Sequence, residues 1–227
     1  MKIGCLSDIH GNWENLINSL KDECSDIDLL ILAGDLCSLD SPGYQESELR
    51  EWFPKFYDLF DNRPEVVIVP GNHDFLLERI YEDAIKLRDI FKCRVKILVD
   101  SSYDVISDSG EIFKLYGNPR SDSYSFAFPH LHDYSDLDNI PGDTDILITH
   151  EAPRLNTLPC ITEISYSDGS LPGNDRLAAR VLEIKPKIHI FGHIHYPVYR
   201  IIDGISFINV SQIDKGDCNP YLYKINV

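Results

Sequence analysis

Asp8 and His10 stand one residue apart where a short apolar run ends, and a carboxylate with a neutral imidazole suits a borderline divalent cation. Four later stretches finish in the same way. Leu29–Leu32 runs into Ala33-Gly34-Asp35, and residues 66–69 run into Pro70-Gly71-Asn72-His73-Asp74. Residues 146–148 run into Thr149-His150, and Ile188–Phe191 into Gly192-His193-Ile194-His195. One Asp-x-His is a weak signal, whereas five apolar runs that each end in metal-competent groups are a strong one. The pool is Asp8, His10, Asp35, Asn72, His150, His193 and His195. It is too large for one ion but fits two if a carboxylate bridges them, and Asp35 is the expected bridge. Two divalent ions roughly 3.5–4 Å apart clamp a phosphoryl group and activate water. His73 lies beside this pool. Its ring could protonate a leaving oxygen, or it could be a structural hydrogen-bonder that orients Asp35 or the water.

For these groups to meet, the apolar runs must be strands whose carboxyl ends share one sheet edge, the usual ligand crevice of open α/β sheets. Glycine immediately before Asp35, Asn72 and His193 lets the backbone turn sharply and approach a ligand. Helical stripes separate the strands. Trp13, Leu16, Ile17 and Leu20 predict a helix over 12–24, with Trp13 in the core. A loop over 37–44, with a Pro42-Gly43 turn, precedes the stripe Leu49, Trp52, Phe53, Phe56 and Phe60, kinked or restarted at Pro54. Leu76, Ile80, Ala84 and Leu87 predict a helix over 75–91. Leu177, Val181 and Ile184 predict another over Asp175–Ile184, stopped at Pro186. Residues 94–99, 102–107 and 112–116 read as strands of a second sheet. Residues 198–202, 205–210 and 221–225 read as closing strands, with Asp203-Gly204 a hairpin turn. His189 alternates with Ile188 and Ile190 and reads as structural, while His130 and His132 read as solvated loop histidines.

The 227 residues fit one domain spanning 1–227. A formal charge of −16 argues against a long nucleic-acid duplex as substrate, because backbone binding needs basic patches. A small phosphorylated substrate remains compatible, since bound divalent cations offset charge locally. The six cysteines form no C-x-x-C pair and read as reduced thiols. With no signal-peptide pattern and no apolar run of roughly 20 residues, the expectation is a cytoplasmic protein without a membrane span.

Asn12, Asn118 and Arg120 are candidate substrate contacts. Asn12 either caps a helix or offers its amide beside a phosphate at the helix amino terminus. Arg120, after the Gly117-Asn118-Pro119 turn, either meets a phosphate oxygen or pairs with a surface acid in a loop that covers the sheet edge. The irregular 121–132 segment follows, and its aromatics Tyr124, Phe126 and Phe128 could wall a substrate pocket.

The ordered blocks Asp8-Ile9-His10, Gly34-Asp35, Gly71-Asn72-His73-Asp74, Thr149-His150 and Gly192-His193-Ile194-His195 resemble the calcineurin-like metallophosphoesterase superfamily. The stretch from Asp145 onward, with Ile-Leu-Ile-Thr-His-Glu-Ala-Pro, Ile-Phe-Gly-His-Ile-His and Phe-Ile-Asn-Val-Ser, resembles its metallophosphoesterase-domain-containing phosphodiesterases. Asn118 departs from that group's Gly-Ser-Pro turn. The resemblance implies a four-layer αββα sandwich, two mixed β-sheets flanked by helices. It implies one ion on Asp8, His10, Asp35 and His195, and a second on Asp35, Asn72, His150 and His193. It further implies attack by a bridging hydroxide, His73 as the acid for the leaving group, Asp74 orienting the His73 ring, and a supporting role near the phosphate for Asn12. A thiolate-free ligand set suits Mn, Fe, Co, Ni or Zn, with Mn favoured.

Phosphoprotein phosphatases of this superfamily extend the second block with an arginine that grips a phosphomonoester. Here it reads Gly34-Asp35-Leu36-Cys37-Ser38-Leu39-Asp40, which weighs against that activity. The leading expectation is a dinuclear-metal phosphodiesterase acting on a small phosphodiester such as a cyclic nucleotide. Alternatives on the same core are a phosphomonoesterase or a nuclease. A non-catalytic scaffold is disfavoured because every block is intact.

Overall fold

In a short strand, successive side chains point to opposite faces, and here both faces are apolar. Leu29 and Ile31 turn one way and Leu30 and Leu32 the other, and all four are buried. Such strands need cover on both sides, which dictates layers. The computed structural model describes every residue except 22–25, 39, 123–124, 165–169, 215–216 and 219. Tyr124, Cys24 and the end of the helix expected over 12–24 therefore lie outside the described residues.

In chain order the strands are β1 (Lys2–Leu6), β2 (Leu29–Leu32), β3 (Glu65–Ile68), β4 (Val95–Ile97), β5 (Ser101–Ile106), β6 (Ile112–Asn118), β7 (Ile146–Thr149), β8 (Ile188–Phe191), β9 (Val198–Ile202), β10 (Ile205–Asn209), β11 (Ile213–Asp214), β12 (Asp217–Cys218) and β13 (Tyr223–Asn226). The helices are α1 (Trp13–Leu20), α2 (Pro42–Tyr57), α3 (Phe75–Ile80), α4 (Ala84–Phe91), α5 (Ser135–Asp138), α6 (Pro159–Thr162) and α7 (Asp175–Ile184).

One sheet has the order β13-β1-β2-β3-β4, parallel except at β13. The other has the order β5-β6-β7-β8-β10-β9, with a parallel centre and antiparallel edges. A two-stranded pair, β11-β12, stands apart. Ile3, Ile31, Val67, Leu115, Ile148, Ile190 and Ile208 fill the space between the large sheets. Leu30, Leu32, Val66 and Ile68 pack outward against Trp13, Phe53, Phe56 and Phe91 of the helices. Leu147, Phe191 and Phe207 do the same against Leu177 and Val181 on the other side. This is the expected αββα sandwich.

Several local readings change. The 94–99 strand belongs to the first sheet, as β4 parallel to β3, because α3 and α4 carry the chain back to the same edge. The 75–91 helix is two helices, broken where Asp83 turns its carboxylate onto the Lys86 N–H and caps α4. Pro42 starts α2 rather than a turn, and that helix passes Pro54 near its end without stopping. Gly117 and Asn118 lie within β6. Asp203-Gly204 is the hairpin turn, with φ of 51° and 84°.

Candidate active site

The carboxyl ends of β1, β2 and β3 lie beside those of β7 and β8, and backbone hydrogen bonds continue past the strands. Asp8 N donates to Gly34 O at 2.9 Å and His10 N to Asp35 O at 3.0 Å. Ser7 N donates to Val210 O at 3.0 Å, joining the first sheet to the second. Four of the predicted ligands hold left-handed backbone: Asp8 (φ 53°), His10 (44°), Asp35 (56°) and His193 (65°). Non-glycine residues resist this conformation, at a cost of order 1–3 kcal/mol each, and such strain concentrates at functional sites.

The glycines explain how the loops fit. A Cβ on Gly71 would lie 2.3 Å from Asp35 Oδ1, and one on Gly34 would lie 2.4 Å from His150 Nδ1. A Cβ on Gly192 would meet Ser7 Oγ at 2.4 Å and Asp8 Oδ2 at 2.5 Å. Each ligand thus sits where a neighbouring side chain would be.

All seven predicted ligands converge into two groups. Asp8, His10 and His195 form one, and Asp35, His150 and His193 the other, each close enough to hold a metal ion. His195 Nε2 lies 3.6 Å from Asp8 Oδ1. Asn72 Oδ1 is 2.9 Å from both His150 Nε2 and His193 Nδ1. Asp35 Oδ2 stands between the groups, 3.1 Å from His150 Nε2 and 3.6 Å from His10 Nε2. Three contacts tie the carboxylates down: the Ser7 hydroxyl donates to Asp8 Oδ2 at 2.5 Å, His193 N–H to both Asp8 oxygens at 3.1 Å, and His73 N–H to Asp35 Oδ1 at 2.8 Å. The His150 Nδ1–H donates to Ala33 O at 2.9 Å, which turns Nε2 inward.

The charge balance asks for a cation. Asp8 and Asp35 are buried, and among the described residues their ion-pair partners are histidines alone, with no Lys or Arg. Burial would lower the basicity of His150, yet Asp35 and Asp8 push it up to about 10, so a proton takes the place of a missing positive charge. Burial alone would make the Asp35 carboxyl a weaker acid, but His150 and His10 instead hold its pKa well below the usual carboxylate range. His10 Nε2 is buried without a hydrogen-bond partner among the described residues, although it faces both carboxylates. An orphaned imidazole nitrogen beside two buried carboxylates fits a divalent metal.

A third group, Asp122, His130 and Glu151, has similar spacing but reads differently. His130 Nδ1 lies 2.6 Å from Asp136 Oδ2 and Nε2 lies 2.8 Å from Glu151 Oε2. Burial alone would lower its basicity, but the two flanking carboxylates push it up to about 9, so an imidazolium completes the charge balance. Asn174 Nδ2 sits 3.2 Å from both Asp122 and Glu151 oxygens, aimed there because its Oδ1 caps α7 through the Leu177 N–H. An amide donor fills the gap that a cation would need.

Residues 1–197 match the calcineurin-like phosphoesterase family. The chain belongs to that family. It is similar to metallophosphoesterase domain-containing protein 1 of Homo sapiens, 25% identical over 95% of this chain and 68% of that protein. It is similar to a probable cyclic nucleotide phosphodiesterase of Fibrobacter succinogenes, 25% identical over 86% of this chain and 73% of that protein. It is also 28% identical, over 86% of its own length, to the probable rhamnogalacturonate lyase C of Emericella nidulans, but spans only 17% of that protein. Membership supports a phosphoric ester hydrolase that uses divalent metal.

In this family member the remaining predicted residues fare unequally. The His73 ring borders the first ligand group, 5.2 Å from the His10 ring. Asp74 does not touch it. Its carboxylate accepts the N–H groups of Asp35, Leu36 and Gly71 at 2.8–3.0 Å, because its position opening α3 turns it back into the loops. The ring partner is Asp40, whose Oδ1 lies 2.7 Å from His73 Nδ1. Sequence reading missed Asp40, although an acid closely following the Gly34-Asp35 block was the available signal. Arg120 does not face the ligand groups. It pairs with Asp100 at 2.6 Å and donates to Pro129 O, the bland alternative. Asn118 is buried and donates to Asp100 and Asp136. Asn12 is exposed, makes no side-chain cap, and donates to Ile9 O at 3.1 Å. His130, expected to be solvated, is buried in the imidazolium network.

Proposed function

We propose that the chain is a dinuclear-metal phosphodiesterase, a single domain over 1–227 acting on a small phosphodiester such as a nucleotide derivative. The observation that carries this reading is the placement of Asp35 Oδ2 between two ligand groups, 3.1 Å from His150 and 3.6 Å from His10. Asp8, His10, His195 and Asp35 would hold one ion, and Asp35, Asn72, His150 and His193 the other. A pair of divalent cations, Mn²⁺ favoured for a site of mixed carboxylate, amide and imidazole donors, supplies Lewis-acid polarisation of the phosphoryl oxygens and an activated water.

The chain's own residues do the rest. Asp74 holds the two loops that carry Asp35 and Asn72 in register through three backbone N–H groups. Asp40 takes His73 Nδ1, leaving Nε2 as the ring nitrogen free to give a proton to the leaving oxygen. Preference for a diester is supported by Arg120, whose guanidinium is committed to Asp100 rather than open to a monoester's extra charge. The relative named a probable cyclic nucleotide phosphodiesterase supports the same side. A cytoplasmic setting is supported by the free thiols of Cys5, Cys37, Cys93, Cys160 and Cys218. Among the described residues no helix is long and apolar enough to cross a membrane.

The test is turnover of bis(p-nitrophenyl) phosphate and p-nitrophenyl phosphate, with and without Mn²⁺, by wild type and Asn72→Ala. Metal-dependent diester hydrolysis that exceeds monoester hydrolysis and disappears in the variant is expected. A monoester preference would overturn the diester reading, and no turnover of either by metal-loaded protein would overturn the enzymatic one.

A further inference from the structure

Three rings form a chain of contacts that starts at the ligand groups. The His10 and His73 rings are 5.2 Å apart, and the Phe126 ring follows 4.9 Å beyond His73, edge to face. Phe75 flanks Phe126 at 6.4 Å. We propose that Phe126 determines specificity at this site, forming with Phe75 a seat for the planar aromatic group of the leaving alcohol, an aryl ring or a nucleobase. The inference rests on the phosphodiesterase reading and extends it to a substrate class.

Exposure alone would carry nothing, since single exposed apolar side chains are ordinary. What distinguishes Phe126 is its support. The residue is 37% exposed, while the next two residues, Ala127 and Phe128, are buried in the helical core layer. Ala127 N–H donates to Asn72 O at 2.9 Å, so the segment is pinned directly to a ligand residue. Phe128 N–H donates to Glu78 at 2.8 Å. Ser121 and Phe128 close the segment on itself, and His130 returns to Ser121. A half-exposed ring is thus presented from a backbone tied down at Ala127 and Phe128, in contact with His73.

That order decides which part of a substrate it meets. Phosphorus would lie over the ligand groups and the leaving oxygen at His73, so the body of the leaving alcohol extends over Phe126. Base–aromatic stacking is tolerant of base identity, because every base has a π-face. Phe126 would therefore favour aromatic esters broadly without reading base identity.

Adenosine monophosphate and ribose 5-phosphate form a matched pair that differs by the base. With Mn²⁺-loaded protein, calorimetry should find the nucleotide bound about tenfold more tightly by wild type, from stacking of one base. Phe126→Ala should collapse that ratio toward one while leaving metal content and ribose 5-phosphate affinity unchanged, and Phe126→Trp should keep it. A ratio near one in wild type, or one that survives Phe126→Ala, overturns the inference. Failure of wild type to hydrolyse bis(p-nitrophenyl) phosphate removes the phosphodiesterase reading instead. Turnover with an unchanged ratio in Phe126→Ala removes this inference alone.

Discussion

Two neighbouring regions bury carboxylates and settle their charge in opposite ways. In the ligand crevice Asp8 and Asp35 are buried with histidines as their only ion-pair partners among the described residues, and one imidazole nitrogen there, on His10, has no hydrogen-bond partner. Behind it, Asp136 and Glu151 share the His130 imidazolium, Asp100 holds Arg120, and Asn118 and Asn174 donate to what remains. The second region is complete without a ligand. The first is complete only with added positive charge. Burying carboxylates therefore does not by itself mark a metal site; the missing internal cation does.

Breaking the crevice side should have the largest effect. Asp35→Asn removes the shared carboxylate, so metal content should fall at both groups and turnover by at least ~100-fold, more than the loss typical of residues behind the ligands. Elemental analysis and diester kinetics check this. In wild type, Mn²⁺ at 100 times its Kd should stabilise folding by about 2.7 kcal/mol, a gain that thermal unfolding should no longer find in the variant.

Gly71→Ala comes next. The new Cβ would lie 2.3 Å from Asp35 Oδ1 and 2.6 Å from Asp35 N, so a loss of about 1–3 kcal/mol is expected from overpacking, with weakened metal binding. Gly43→Ala, where nothing lies within 4 Å, is the silent control in the same unfolding assay.

On the other side of the comparison, His130→Gln should cost about 3 kcal/mol by leaving two buried carboxylates without their cation. The His130 imidazolium is favoured in the folded protein, up to about 9 from the ordinary 6.5. Its contribution is therefore fully present below pH 6.5, declines as pH rises, and is gone above about 9. Urea unfolding across that range should show an alkaline decline in wild type and a flatter curve in the variant. Metal-loaded crevice residues should leave this difference unchanged.

The smallest effect sharpens the boundary between the regions. Asp40→Asn should lower kcat about 10–100-fold, as for other groups that orient a working side chain, with metal content unaltered. A drop in bound metal instead would place Asp40 with the ligand set.

Much of the crevice was legible because its grammar is local. An apolar strand that ends in a ligand reads directly, with glycine immediately before Asp35, Asn72 and His193, and all seven predicted ligands meet. Asp175–Ile184 matched its helix to the residue, since its stripe and the following Pro186 are equally local. At the site, what failed depended on partners distant in sequence. Arg120 finds Asp100 and Asp74 finds the N–H groups of Asp35 and Leu36, contacts that no spacing within one segment announces. The strand over 94–99 went to the wrong sheet for the same reason: an isolated apolar run contains no record of its neighbour.

By itself, the sequence determined the strand ends and the ligand types, because apolar runs, glycine and donor chemistry are properties of a few adjacent residues. Tertiary structure alone decided that Asp40 serves His73, that His130 is an internal cation, and that Phe126 rather than Phe128 stands in solvent beside the site. Those outcomes follow from which charges and surfaces are buried against each other, and burial belongs to the folded chain.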